Sequence, residues 1–183
     1  MKEDFTFKTR STKIVIELSD ITGYPIDCIV NTANSSLLGG GGVDGAIHRA
    51  AGPELYKECK ALNGCMTGES KLSKGYNLPA RYVIHTVGPV WRGGMNDEKK
   101  LLANCYRSSL IIAQHGGFKT LAFPAISTGI YGFPLELAAH IALMTVIDFL
   151  RNNKTNLEIC YFSCFDQGTL QVYIRIAESI YKL

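Results

Sequence analysis

The chain is expected to form an α/β fold: a three-layer α/β/α sandwich with a central mixed, mostly parallel sheet. Three observations predict it. Strand-like and helix-like segments alternate through the second half. A pair of strand-like runs opens the chain. The 183 residues, 46% apolar and 19% charged, suit one globular domain over 1–183 with one sizeable core. Alternation of this kind puts helices on both faces of a parallel sheet, and an opening hairpin makes the sheet mixed.

The elements follow in order. Residues 5–8 and 13–18 have the alternation of a hairpin or sheet edge. Asp20-Ile21-Thr22 leaves the second run, and Pro25 closes a short turn. Cys28-Ile29-Val30 marks a buried strand over 27–31. A helix is expected from Val43 to Ala51, broken by Gly52-Pro53. Pro53 suits a first helical position, so a second helix runs to about Leu62. Strands at 69–76 and 81–87 surround Asn77-Leu78-Pro79. A loop at 91–97 precedes a long helix from about Asp97 to His115, with Leu101, Leu102, Cys105, Leu110 and Ile112 on its apolar face. Gly116-Gly117 ends it. Strand 120–126, a loop from Ser127 to Phe133, a helix from Pro134 to Asn152, strand 157–164 and a helix from Thr169 to Lys182 complete the chain.

In such sheets ligands bind beyond the carboxyl ends of the strands. Four unusual segments follow strand ends: Asp20-Ile21, Asn31 to Gly42, Ser127 to Phe133, and Phe165-Asp166. They are expected to gather on one rim around a single cleft. The four consecutive glycines, Gly39 to Gly42, are costly in backbone entropy. A backbone that must approach a ligand closely explains them. Beside a helix start, that ligand is an anion, most often a phosphate or diphosphate. Asn31 and Asn34 are either turn formers or partners for a ligand's hydroxyls; their place beside the glycines favours the latter. Asp44 suits a first helical turn, yet an acid beside an anion site points to a polar ligand edge or a water to orient. His48 lies one turn on, either as a helix-stabilising partner of Asp44 or as part of the site.

Composition narrows the function classes. A net charge of +3, with no basic run longer than Lys99-Lys100, argues against a nucleic-acid surface. No apolar run reaches membrane-spanning length, and Met1-Lys2-Glu3-Asp4 lacks a signal-peptide pattern, so a cytoplasmic location is expected. The six cysteines, Cys28, Cys59, Cys65, Cys105, Cys160 and Cys164, form no C-x-x-C pair and suit buried reduced thiols. Close Cys/His pairs of a zinc site are not evident. Gly40-x-Gly42-x-x-Gly45 matches a dinucleotide fingerprint formally, but a loop separates it from its strand. No P-loop motif occurs. Ala125-Ile126-Ser127-Thr128-Gly129 misses the nucleophile elbow at one position, and no acid-then-His order follows. His85, His115 and His140 suit packing or surface positions.

Longer motifs carry a resemblance. Asn31-x-x-Asn34, Leu37 to His48, Ala50-Ala51-Gly52-Pro53, Ile84 to Pro89 and Pro124 to Gly132 resemble a macrodomain of the MacroD type, and the similarity covers about residues 12–181. Macrodomains bind ADP-ribose. MacroD-type members cut esters at its distal ribose: mono-ADP-ribose on acidic side chains, and O-acetyl-ADP-ribose. The resemblance implies that Asp20 accepts from adenine, Ile21 supplies a backbone donor and Phe165 stacks on the base. It implies that Gly40, Gly41, Gly42 and Val43, with Ser127, Thr128, Gly129, Ile130 and Tyr131, wrap the diphosphate. Asn34 and Asp44 are the implied catalytic residues, with His48 and Tyr131 secondary; Asn31 is counted with the ligand-binding set. The family usually has glycine where Ser19 stands; if that glycine serves a positive φ, Ser19 costs a little stability. The family's zinc-containing branch has ligands near the catalytic loop, and Gly39 to Gly42 offers none, so neither metal nor cofactor is expected. The implied partners are ADP-ribose or O-acetyl-ADP-ribose and mono-ADP-ribosylated proteins, acted on by a water that Asp44 and Asn34 orient. A non-catalytic ADP-ribose reader is the alternative.

Overall fold

The computed structural model describes residues 4–181. It contains one seven-stranded sheet with strands β1 (Asp4–Thr9), β2 (Thr12–Leu18), β3 (Cys28–Ala33), β4 (Ser70–Lys74), β5 (Tyr82–Val87), β6 (Thr120–Phe123) and β7 (Ile159–Cys164). Their order is β1-β2-β7-β6-β3-β5-β4. The β2–β7, β7–β6, β6–β3 and β3–β5 pairs are parallel; only the two edge pairs, β1–β2 and β4–β5, are antiparallel. The expected mixed, mostly parallel sheet is present, closed at each edge by one antiparallel strand.

Helices α1 (Gly42–Ala51) and α2 (Pro53–Ala61) cover one face. Ile47, Ala51, Leu55 and Cys59 pack there on Ile29, Ala33, Val83 and Val87. Helices α3 (Glu98–His115), α4 (Leu135–Asn152) and α5 (Gln167–Tyr181) cover the other. Leu102, Tyr106, Leu143, Val146 and Tyr173 pack on Cys28, Val30, Ile84, Phe123 and Phe162. The period-2 alternation of β3 separates the two cores: Cys28 and Val30 face one, Ile29 and Ala33 the other. All six cysteines are free and buried, as the apolar context of their sequence neighbours suggested. No helix among the described residues is long and apolar enough to cross a membrane.

Several boundaries differ from expectation. β3 continues past Asn31 to Ala33, because Asn31, Thr32 and Ala33 pair with His85, Thr86 and Val87 of β5. Asn31 therefore lies inside a strand, not at its rim. β6 stops at Phe123, where Pro124 has no N–H to continue the ladder. α5 begins at Gln167 rather than Thr169, capped by Asp166, which accepts from the Thr169 N–H at 2.8 Å. Lys182, the expected last residue of that helix, lies outside the described residues. β3 and β6 pair only through Cys28 and Ile29. Beyond these residues their carboxyl ends are no longer paired, and the connections diverge to opposite sides of the sheet. A crevice results at this switch point.

Candidate active site

A cavity of about 570 Å³ opens at the carboxyl ends of the parallel strands. Its lining draws on each segment expected at the rim: Asp20-Ile21, Asn34 with Gly40 to Asp44, Ser127 to Tyr131, and Phe165-Asp166. The lining includes three carboxylates (Asp20, Asp44 and Asp166) and a single guanidinium, Arg49. Side-chain charge therefore favours cations, and an anion bound here must rely on backbone N–H groups. The start of α1 supplies them. The Gly45 N–H closes the first helical bond to the Gly41 carbonyl at 3.3 Å, so the N–H groups before it have no intrahelical partner.

Two separate causes account for three of the glycines. Gly39 and Gly42 take positive φ values of 91° and 58°. At Gly40 the cause is space: a Cβ there would lie 3.2 Å from Asp44 Oδ2 and 3.5 Å from Asn34 Nδ2. Gly40 thus lets the loop pass directly over the two side chains expected to be catalytic. Asn34 shapes this loop itself. Its Nδ2 donates to the Gly39 carbonyl at 2.9 Å, and its Oδ1 accepts from the Ser36 N–H and hydroxyl at 3.1 and 2.6 Å.

Asn31 and His48 do not line the cavity. Both stand behind Asp44. Asn31 is fully buried, and its Nδ2 donates to Asp44 Oδ1 at 2.8 Å and meets His85 Nδ1 at 3.1 Å. The expectation that Asn31 meets the ligand's hydroxyls gives way to this contact: on a strand that runs on to Ala33, it faces α1 alongside Ile29 and Ala33. His48 packs against Gly39, with its Nε2 3.5 Å from Asp44 Oδ1. Asp44 Oδ1 is thus held from behind, and Oδ2 is left toward Gly40 and Asn34. Burial pushes the Asp44 carboxyl above its usual range, while the Asn31 bond and nearby His48 pull it back.

At the opposite end, Asp20 Oδ1 accepts from the Thr22 N–H and hydroxyl at 2.9 and 2.7 Å, and Oδ2 carries neither bond. Phe165 is 80% exposed at the cavity edge, an apolar ring open to solvent. Ser19 is not strained: it is not among the residues with positive φ. Its hydroxyl instead bonds Tyr24 Oη at 2.7 Å and Ser163 Oγ at 2.9 Å, so the anticipated stability cost is absent. The second loop closes on itself through the Phe133 N–H to the Ser127 carbonyl at 2.9 Å. Ile130, 91% exposed, reaches across toward Gly41. Tyr131 is tied through its carbonyl to the Trp91 N–H at 2.8 Å.

The sequence profile of the Macro domain family matches residues 30–142. The chain belongs to this family. Among the relatives of this macrodomain, the Macro domain-containing protein RSc0334 of Ralstonia nicotianae is 58% identical over 155 residues, which are 85% of this chain and 88% of that protein. Human ADP-ribose glycohydrolase MACROD2 is 52% identical over 167 residues; these are 91% of this chain but 39% of that longer protein. A mutant macrodomain of Oceanobacillus iheyensis with ADPR superposes with a TM-score of 0.94 at 38% identity, covering 98% of this chain and 100% of that one.

Sequence reasoning missed part of this macrodomain's site. Arg49, Ser163 and Thr169 line the cavity, and His85, assigned to packing, touches Asn31. Arg49 was detectable in principle, lying on α1 five residues after Asp44; His85 lay within a motif of the resemblance, but nothing there pointed to its contact with Asn31. His85 also bears on metal binding. A ring nitrogen of His48, Cys59 Sγ and a ring nitrogen of His85 lie within 4.8 Å of one another. However, His85 Nδ1 accepts from Asn31, so Nε2 carries the proton and meets Ser73 Oγ at 2.8 Å. Burial also pushes the Cys59 thiol up to about 12. His85 thus turns an N–H, and Cys59 a protonated thiol, to the place where a metal would need lone pairs, which leaves His48 as the one remaining donor of the trio and does not suit a metal.

Proposed function

We propose that this macrodomain binds ADP-ribose and hydrolyses its esters at the distal ribose, on acidic protein side chains, in O-acetyl-ADP-ribose, or both. The observation that carries the reading is the placement of Asp44: its Oδ1 is held from behind, and its Oδ2 is turned to the cavity beside the anion-binding start of α1. The name of human MACROD2 and the ADPR in the Oceanobacillus iheyensis structure support the ligand and the hydrolase class.

Gly40 to Val43 and Ser127 to Tyr131 hold the diphosphate through backbone N–H groups. Asp20 takes the adenine amino group, Ile21 adds a backbone donor, and Phe165 stacks on the base. The distal ribose then lies against Asn34 and Asp44. Asp44 Oδ2 orients a water and accepts its proton. With attack at the ribose carbon of a glutamate or aspartate ester, the carbon–oxygen bond breaks and a carboxylate leaves, so strong acid catalysis is unnecessary; with attack at the acyl carbon of O-acetyl-ADP-ribose, the departing ribose oxygen takes back the proton that Asp44 accepted from water. His48 supports Asp44.

The test uses a glutamate-linked mono-ADP-ribosylated protein. Wild type should release ADP-ribose. Asp44→Ala should lose turnover by about 100-fold or more, the range of a general base, and still bind ADP-ribose in calorimetry. Unchanged turnover in Asp44→Ala would overturn the mechanism. Binding without release by wild type over hours would make the protein a reader.

A further inference from the structure

His85 belongs to a hydrogen-bond chain of single polarity. Asn31 Nδ2 reaches both Asp44 Oδ1 at 2.8 Å and His85 Nδ1 at 3.1 Å. His85 Nε2 reaches Ser73 Oγ at 2.8 Å, with the Cys59 sulfur a longer, weaker partner at 3.5 Å, and the Ser73 hydroxyl donates to the Lys74 carbonyl at 3.2 Å. The carbonyl only accepts, so Ser73 donates there and accepts from His85. His85 must then carry its proton on Nε2 and accept at Nδ1. Asn31 must turn its amide N–H groups, not its oxygen, toward both His85 and Asp44. A flipped amide would set an oxygen against two acceptors.

We propose that His85, with Ser73 behind it, is a positioning residue that locks the Asn31 amide as a donor and so fixes the orientation and ionisation of Asp44. The inference rests on the hydrolase reading above. Other groups around Asp44 are His48 on its own helix, with Arg49 lining the same cavity, and Cys59 on α2. None of them sets the Asn31 amide. Burial keeps the His85 ring neutral, holding it down to about 3, so the acceptor at Nδ1 persists across the physiological range.

The test compares His85→Leu, His85→Asn and Ser73→Ala in the full chain. An N–H donated to a carboxylate favours its charged form, so losing it raises the Asp44 pKa. His85→Leu should lower kcat at least tenfold, leave KM within threefold, and move the acid limb of the kcat profile to higher pH. His85→Asn, whose amide oxygen can replace the Nδ1 acceptor, should restore the wild-type profile. Ser73→Ala should move the limb in the same direction by less, which keeps the proposal testable if His85→Leu does not fold. A wild-type profile in both folded His85→Leu and Ser73→Ala would overturn the proposal. Nuclear magnetic resonance supplies a readout independent of turnover. It should find His85 protonated on Nε2 and the Asn31 amide signals displaced in Ser73→Ala. Absence of turnover in wild type would sink the hydrolase reading alone; an Nδ1-protonated His85 would sink this one.

Discussion

Gly40 shows how one missing methyl group positions chemistry. Its φ is not in the left-handed region, so alanine is conformationally allowed there. The added Cβ would nevertheless press on Asp44 Oδ2 at 3.2 Å and Asn34 Nδ2 at 3.5 Å. Gly40→Ala should therefore fold with near-normal stability and bind ADP-ribose within a few-fold of wild type. Its kcat should fall by roughly tenfold, because a small displacement of a positioned group is enough to slow the reaction. Steady-state kinetics beside calorimetry separate the two effects; equal losses in kcat and binding would contradict this account of Gly40. Gly40 was legible as a special position from the glycine run. The reason was not, because a clash with Asp44 depends on where the helix begins.

At the scale of elements, the start of α3 holds the loop over 91–97 in place. The buried Glu98 carboxylate accepts from the N–H groups of Arg92 at 2.9 Å, Gly94 at 3.2 Å and Asn96 at 2.6 Å. This loop includes Trp91, which is tied to the Tyr131 carbonyl and packs on Phe133 with ring centroids 4.7 Å apart. Burial alone would raise the Glu98 pKa, but the backbone donors outweigh it and bring it from 4.5 down to about 2. A carboxyl with a depressed folded pKa stabilises the fold fully above its unfolded value and loses that contribution as pH falls between 4.5 and about 2. Glu98→Gln should lower Tm at neutral pH, and its difference from wild type should narrow toward pH 2. Thermal melts across that range check it; a constant difference would mean packing, not charge, holds the loop. Helix and strand existence was largely readable from periodicity and from Gly and Pro. The course of this loop was not, because three N–H groups converge on one acid only after α3 has packed.

For the whole molecule, His85 makes stability depend on pH between neutral and mildly acid conditions. Its folded pKa is depressed from 6.5 to about 3, mainly by burial, with His48 adding to it. The unfolded chain therefore binds a proton that the native protein refuses. Stability from this group is full above 6.5 and is lost as pH falls toward about 3, with a slope of up to about 1.4 kcal/mol per pH unit. Asp44, raised by burial, works against that slope where it titrates. Urea unfolding followed from pH 7 to pH 4 should show stability declining, and His85→Asn should flatten the decline. An unchanged slope in that variant would assign the acid sensitivity elsewhere.

The sequence by itself determined the α/β class, the order of elements, the loops that line the cavity, and the family. These depend on local signals: residue periodicity, turn chemistry, and long contiguous motifs. Only the tertiary structure decided what stands behind Asp44. Asn31 was expected at a strand end, as a partner for a ligand's hydroxyls, yet pairing with β5 carries the strand two residues further and buries it. Ser73, His85 and Asn31 meet because β4, β5 and β3 pair in one particular register. Pairing between distant segments leaves no local trace, so the support of the site could not be read from the residues that form it.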